Sequence, residues 1–100
     1  VTVYGQEAAP GLVERISVCP GSGRGMEIEA EKAGAQVLIT GDMGHHEGID
    51  AAARNMAVID AGHYGMEHIF IQYMAGYLKE NLPVEMEIVT APSAWPTVLL

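Results

Sequence analysis

The run Gln36–Thr40, QVLIT, constrains the fold more than any other segment of the chain. Val37, Leu38 and Ile39 follow one another without polar alternation, and Gly34 and Gly41 bracket the run. A strand that is apolar towards both faces belongs inside parallel β-structure, where both faces are covered. Its surroundings agree. Val13–Cys19, VERISVC, reads as a strand with Ile16 and Val18 on one face, and Ala57–Asp60 reads as a third, cut off by Gly62. Between these runs, Met26–Ala33 and His46–Met56 read as helices. Gly34 closes the first, and Ile49, Ala52, Ala53 and Met56 form the inward side of the second.

A longer helix is expected from about Gly65 to Asn81. Its stripe of Met66, Ile69, Phe70, Tyr73, Met74, Tyr77 and Leu78 has helical spacing and reads as core packing. Pro83–Val89 reads as a last strand, Val1–Tyr4 as an extra edge strand, and residues 91–100 as a tail over the surface. Strands alternating with helices imply βαβ units. The expected fold is therefore α/β: a small, mostly parallel sheet with helices packed on it, in one domain over residues 1–90.

A chain of 100 residues holds one domain with a modest core. With 49% hydrophobic and 18% charged residues it is globular rather than disordered. No apolar run approaches the roughly 20 residues needed to span a bilayer. The formal net charge of −8 disfavours phosphate backbones, so neither nucleic acid nor membrane is an expected partner. Cys19 is the only cysteine, which excludes an internal disulfide and fits a reducing, cytoplasmic setting. The chain opens on valine rather than methionine, which suggests a fragment or a processed chain.

Parallel strands point their carboxyl ends one way, so the loops after them collect on one rim. Three loops carry nearly all the reactive residues: CPGSGRG (Cys19–Gly25), TGDMGHH (Thr40–His46) and DAGHYGME (Asp60–Glu67). In the last, a helix beginning near His63 places His63 and Glu67 four residues apart on one face. An imidazole nitrogen and a carboxylate at that spacing can share an ion, and a helix N-terminus favours the ionised carboxylate. The bland alternative is a histidine packed on the loop beside a solvated acid.

The second loop offers Asp42, His45 and His46. Asp42 either joins a site or caps the next helix, while His46 either supports a ligand from behind, shuttles a proton or is a plain surface residue. Asp60 either orients an imidazole or bonds loop amides. The first loop lacks the Gly-Lys-Ser/Thr ending of a phosphate-binding P-loop, and Met26 stands where a dinucleotide loop would have its third glycine. Cys19 reads as a strand-end residue rather than a nucleophile.

Taken in order, RISVCPGSG, AGAQVLITGDMGHHEGIDAA and MAVIDAGHYGMEH resemble the C-terminal half of the Nif-three-like family of dinuclear metal centre hexameric proteins. GHYGME is the most specific piece. The resemblance implies two similar α/β halves enclosing a cleft with two divalent ions, zinc, iron or manganese. His63 and Glu67 would be ligands, with Glu67 bridging, and the other ligands would come from the N-terminal half, which is absent here. His46 matches the histidine that follows TGD and lines the cleft, which makes it the candidate for catalytic proton transfer; His45 receives no role. The resemblance further implies a homo-oligomer, a hexamer in the family, and a small-molecule substrate. The expected function is half of a dinuclear site in a metal-dependent hydrolase acting on a nucleotide-like substrate, related to GTP cyclohydrolase. The alternatives are a non-enzymatic metal-binding regulatory or assembly protein, and a small-molecule-binding module without metal. Two ligands cannot satisfy two ions, so this chain alone is expected to hold metal weakly.

Overall fold

The computed structural model describes residues 1–8 and 11–91. Its elements run β1 (Thr2–Tyr4), a short 3₁₀ turn (Gln6–Ala8), β2 (Ile16–Ser22), α1 (Met26–Lys32), β3 (Val37–Gly41), α2 (His45–Ala53), β4 (Ala57–Asp60), α3 (Gly62–Glu67) and α4 (Ile69–Asn81). The sheet has the order β1-β4-β3-β2, with QVLIT as an interior strand. β3 pairs in parallel with both β2 and β4, and β1 lies antiparallel on the outer side of β4. The fold is thus α/β and mostly parallel, with Val1–Tyr4 supplying the edge strand expected of it.

Only one face of the sheet carries the main core. Leu38 and Val58 pair across β3 and β4, are almost wholly inaccessible, and meet Ala30 of α1 and Ala51 of α2 together with Ala35, Met43 and Met56. Tyr4 and Cys19 close this cluster from the two edge strands. Arg54 ties α2 to α1 through an ion pair with Glu31 at 2.6 Å.

Small residues decide the seating of α2. Gly48 and Ala51 face inward, and a Cβ on Gly48 would lie 2.6 Å from the Tyr4 ring. The expected inward set of Ile49, Ala52, Ala53 and Met56 is therefore corrected in part: Ile49 and Ala53 are exposed and Ala52 is half-buried. Met56 is buried, but from the turn after the helix. The close approach of Tyr4 admits no side chain at Gly48, so the helix rotates its small face inward.

On β2 the expected sharing of one face holds. Ile16 and Val18 do share a face, but it is the uncovered one, and Ser17 and Cys19 lean towards the core. The strand also runs past Cys19 to Ser22, with a register shift that lets Ser22 pair with Gly41.

The helix expected from Gly65 to Asn81 starts earlier and divides at His68 without leaving helical backbone, since His68 keeps φ −61° and ψ −25° and its N–H reaches the Tyr64 carbonyl at 3.0 Å. α3 begins at Gly62 and ends at Glu67, and α4 resumes at Ile69 after His68. The His68 ring stacks on Tyr64 with centroids 5.3 Å apart, and its Nδ1 donates to the Tyr64 carbonyl at 2.9 Å. α4 meets the rest of the fold chiefly through α3. Its apolar stripe has the expected spacing but is not core: Ile69, Phe70, Tyr73 and Tyr77 are each more than half exposed. No second layer faces it among the described residues. Pro83–Val89 likewise forms no strand, because these residues leave a helix that stands off the sheet and have no strand beside them to pair with. The tail expected over residues 91–100 lies, from residue 92 on, outside the described residues.

Candidate metal centre

The parallel register brings the ends of β2, β3 and β4 side by side: Cys19 pairs with Thr40, and Thr40 with Asp60. Each loop that follows is locked to its neighbour by a contact that requires a particular residue. Thr40 is fully buried, and its hydroxyl donates to the Cys19 carbonyl at 2.8 Å. Gly23 folds back onto that side chain so closely that a Cβ there would stand 2.1 Å from Thr40 Oγ1. Gly41 lies against the start of α3, where a Cβ would come within 2.6 Å of the Gly62 carbonyl carbon and 2.8 Å of the His63 nitrogen. The TGD loop and the GHYGME helix thus touch backbone to backbone, which only glycine permits.

Asp60 organises the junction. Its carboxylate accepts from the backbone N–H groups of Asp42 at 2.9 Å, Met43 at 2.8 Å and Gly62 at 2.9 Å. Of the two roles open to Asp60, the structure shows the second: it bonds loop amides. Among the described residues no bond joins it to an imidazole.

His63 and Glu67 occupy one side of α3, as their spacing requires. His63 Nε2 and Glu67 Oε1 stand 3.8 Å apart. Gly21, at φ +72°, passes in front of both, and a Cβ on it would sit 3.2 Å from Oε1 and 3.4 Å from Nε2. The bare glycine leaves a small cradle bordered by one nitrogen and one carboxylate oxygen. Two ligand atoms about 2.1 Å from a common ion stand roughly 3.0–3.4 Å apart, so a slight side-chain rotation suits this pair to one ion. The donor chemistry fits a borderline divalent cation. Among the described residues no third histidine, cysteine or acid completes such a set. Glu67 is the last residue of α3 rather than a first-turn acid, so the expected help from a helix N-terminus does not apply.

The other ring nitrogen, His63 Nδ1, is in short contact with Asp42 Oδ2. This hydrogen bond is the main cause that raises the His63 pKa above its ordinary value of 6.5; desolvation opposes it, and the charges of Asp42 and Glu67 add smaller upward contributions. Asp42 does not cap α2, whose first turn follows Gly44 without a side-chain cap. The pairing of Asp42 with His63 was not read from the sequence. The available signal was the register of QVLIT against AVID, which places the residues after each strand next to one another.

His46, the second residue of α2, lies exposed on the same rim with its ring edge-on to His45 at 5.7 Å; His45 in turn meets Tyr4 at 6.4 Å. Among the described residues no hydrogen bond links His46 to His63 or Glu67. Cys19 is half-buried inside β2 rather than at its end, because the strand runs on to Ser22, and its thiol makes a weak contact with the Pro20 carbonyl. Beside Glu67 lies an open groove of about 770 Å³, lined by Pro20, Met66, Ile69, Phe70 and Tyr73.

Comparison with known proteins supplies the context. A GTP cyclohydrolase 1 type 2 homolog of Staphylococcus epidermidis is 30% identical over 99 residues, covering 92% of this chain and 26% of the relative. A homolog of the same name from Staphylococcus aureus is 36% identical over 80 residues, covering 73% of this chain and 22% of its own length. The chain therefore spans about a quarter of these relatives. Among solved structures, the protein ybgI, of unknown function, superimposes with a TM-score of 0.72 at 25% identity, covering 92% of this chain and 37% of that one. Reduced HcgD from Methanocaldococcus jannaschii gives 0.60 at 29% identity, covering 70% and 29%. The Duf34/NIF3 (NGG1p interacting factor 3) family profile matches residues 1–95, and the chain belongs to that family.

Proposed function

We propose that the chain contributes half of a dinuclear metal site in a metal-dependent hydrolase acting on a nucleotide-like substrate. One observation carries the reading: His63 Nε2 and Glu67 Oε1 face each other across a gap that Gly21 keeps open. In this reading His63 offers its Nε2 lone pair and Glu67 its carboxylate, with the remaining ligands supplied by the part of the family fold that this chain does not span. Zinc, iron or manganese suits such donors. A pair of these ions, when bound, lowers the pKa of water and stabilises developing oxyanion charge. His46, exposed on the same rim, is assigned proton transfer or substrate contact. The groove beside Glu67 is apolar and broad enough for an aromatic base. The name GTP cyclohydrolase 1 type 2 homolog carried by the relatives supports a nucleotide substrate.

Zinc and manganese titrations of the chain test the metal half of this reading. Weak binding by the chain that falls further in His63→Ala and Glu67→Gln is expected; unchanged binding in both variants would refute it. A chimera carrying residues 1–95 in place of the matching segment of the S. epidermidis relative tests the chemistry. Loading it with zinc, manganese or iron and following GTP by chromatography should show turnover that His63→Ala abolishes. No turnover in a metal-loaded chimera rules out nucleotide hydrolysis.

The second reading, a non-enzymatic metal-binding assembly protein, is favoured by the exposed stripe of α4, an apolar face suited to contact between copies in a homo-oligomer such as a hexamer. It predicts that the loaded chimera assembles without turnover and that His63→Ala leaves assembly intact.

A further inference from the structure

We infer that Asp42 is a positioning residue for His63: its carboxylate holds Nδ1–H, fixing the imidazole tautomer and ring orientation so that the Nε2 lone pair faces Glu67 across the Gly21 cradle. The inference rests on the metal-ligand reading of His63 and Glu67 and adds a residue to it. Three independent contacts aim Asp42. Its own N–H is held by Asp60 Oδ1 at 2.9 Å, its carbonyl accepts from Ser22 Oγ at 3.4 Å, and Gly41 before it is pressed against the α3 backbone. The residue sits at φ +50°, a conformation uncommon for a side chain other than glycine, asparagine or aspartate. Glycine would fit that backbone with less strain, yet the position carries a carboxylate, and that carboxylate meets the one ring nitrogen of His63 that does not face Glu67.

The chemistry follows from the two ring nitrogens. A neutral imidazole has one N–H and one lone pair, and the partner of one nitrogen decides which the other presents. A carboxylate can only accept, so Asp42 keeps the proton on Nδ1 and leaves Nε2 free to ligate. Such an acceptor behind a metal-binding histidine typically accounts for about 10–100-fold in metal affinity. With Asp60 occupied by three amides, Asp42 fills the role that a rim acid could have played from either loop.

The test uses the ¹⁵N-labelled chain and two substitutions, Asp42→Asn and Asp42→Gly. Glycine relieves the positive φ and asparagine tolerates it, so both keep the loop, which amide-resonance dispersion checks. Long-range ¹H–¹⁵N correlation at about pH 9, above the ordinary imidazole range, reads the His63 tautomer without metal. The parent chain should show Nδ1–H, Asp42→Gly a clear shift towards Nε2–H, and Asp42→Asn, whose amide oxygen still accepts, a smaller one. Zn²⁺ titration should show affinity reduced by about 10–100-fold in Asp42→Gly and by less in Asp42→Asn. Retention of the Nδ1–H tautomer, or zinc affinity within twofold of the parent, in folded Asp42→Gly overturns the inference. If His63→Ala and Glu67→Gln leave zinc binding untouched, the metal reading fails instead, and the metal-free tautomer measurement alone decides whether Asp42 orients His63.

Discussion

Replacing Asp60 should uncouple the two loops that carry Asp42 and His63. The carboxylate accepts three backbone N–H groups, two from the TGD loop and one from the first residue of α3. Asp60→Ala leaves all three donors without that partner. A hydrogen bond to a charged group contributes about 1.5–3 kcal/mol, and an abandoned buried donor costs about 1–3 kcal/mol. Asp60 is only half-buried, so water recovers part of each loss. Taking about 1 kcal/mol for each of the three donors, the substitution should cost roughly 2–4 kcal/mol. With a urea m-value of about 2 kcal/mol/M, the middle of the range for small proteins, the unfolding midpoint should fall by roughly 1–2 M. Asp60→Asn keeps one carbonyl acceptor and should lose about half as much. The assay is urea denaturation of parent and variants, followed by the His63 ring resonances of each folded variant. A loss in Asp60→Ala below about 0.5 kcal/mol, the usual size for a surface substitution, would refute the argument that this carboxylate organises the rim. So would equal losses in the alanine and asparagine variants.

The other substitutions and titrations have expected outcomes as well. His63 has its pKa raised in the folded chain by Asp42 and Glu67. The resulting stabilisation is fully present below the unfolded value of 6.5 and is lost as pH rises through the folded pKa. NMR titration of the ring should show the elevated pKa, and His63→Gln should abolish that part of the pH dependence of stability. Zinc competes with the same proton, so its affinity should increase over the same pH interval, which calorimetry in buffers of differing ionisation enthalpy checks. Gly21→Ala should cost about 1–2 kcal/mol from its left-handed backbone. Its methyl, 3.2 Å from Glu67 Oε1 and 3.4 Å from His63 Nε2, should also weaken zinc binding, read by denaturation and metal titration. Thr40→Val should destabilise the fold by about 1–2 kcal/mol in urea unfolding, because the Cys19 carbonyl loses its donor inside a closed core. In Gly41→Ala the new methyl would meet the backbone of α3 rather than a movable side chain, so a loss of about 1–3 kcal/mol, or failure to fold, is expected by circular dichroism.

Much of this molecule is legible in its sequence because the relevant signals are local. QVLIT and AVID are strands by composition and by their glycine boundaries, and they pair as expected. His63 and Glu67 share a helix face because four residues make about one turn, whatever surrounds them. The Duf34/NIF3 membership was legible from three short loops read in order. Less legible was the inward face of α2. Apolarity pointed to Ile49, but the space beneath the helix is set by the distant Tyr4 ring, which accepts Gly48 and Ala51. The exposure of Ile69, Phe70, Tyr73 and Tyr77 was not legible at all. Periodicity says that a face is apolar, and only the arrangement of other elements says whether anything covers it.

The sequence by itself therefore determined the α/β architecture, the clustering of three loops on one rim, and the His63–Glu67 pair at ligand spacing. Tertiary structure alone decided which acid serves which purpose. Asp42 and Asp60 each stand within two residues of a strand end, and nothing in their local sequence distinguishes a positioning acid from a structural one. The parallel register, the contact of Gly41 with Gly62, and the positive φ of Asp42 turn one carboxylate to the imidazole and the other to three amides. Spacing along a helix is fixed by its pitch, whereas the direction of a loop side chain is fixed only when a neighbouring strand constrains its backbone.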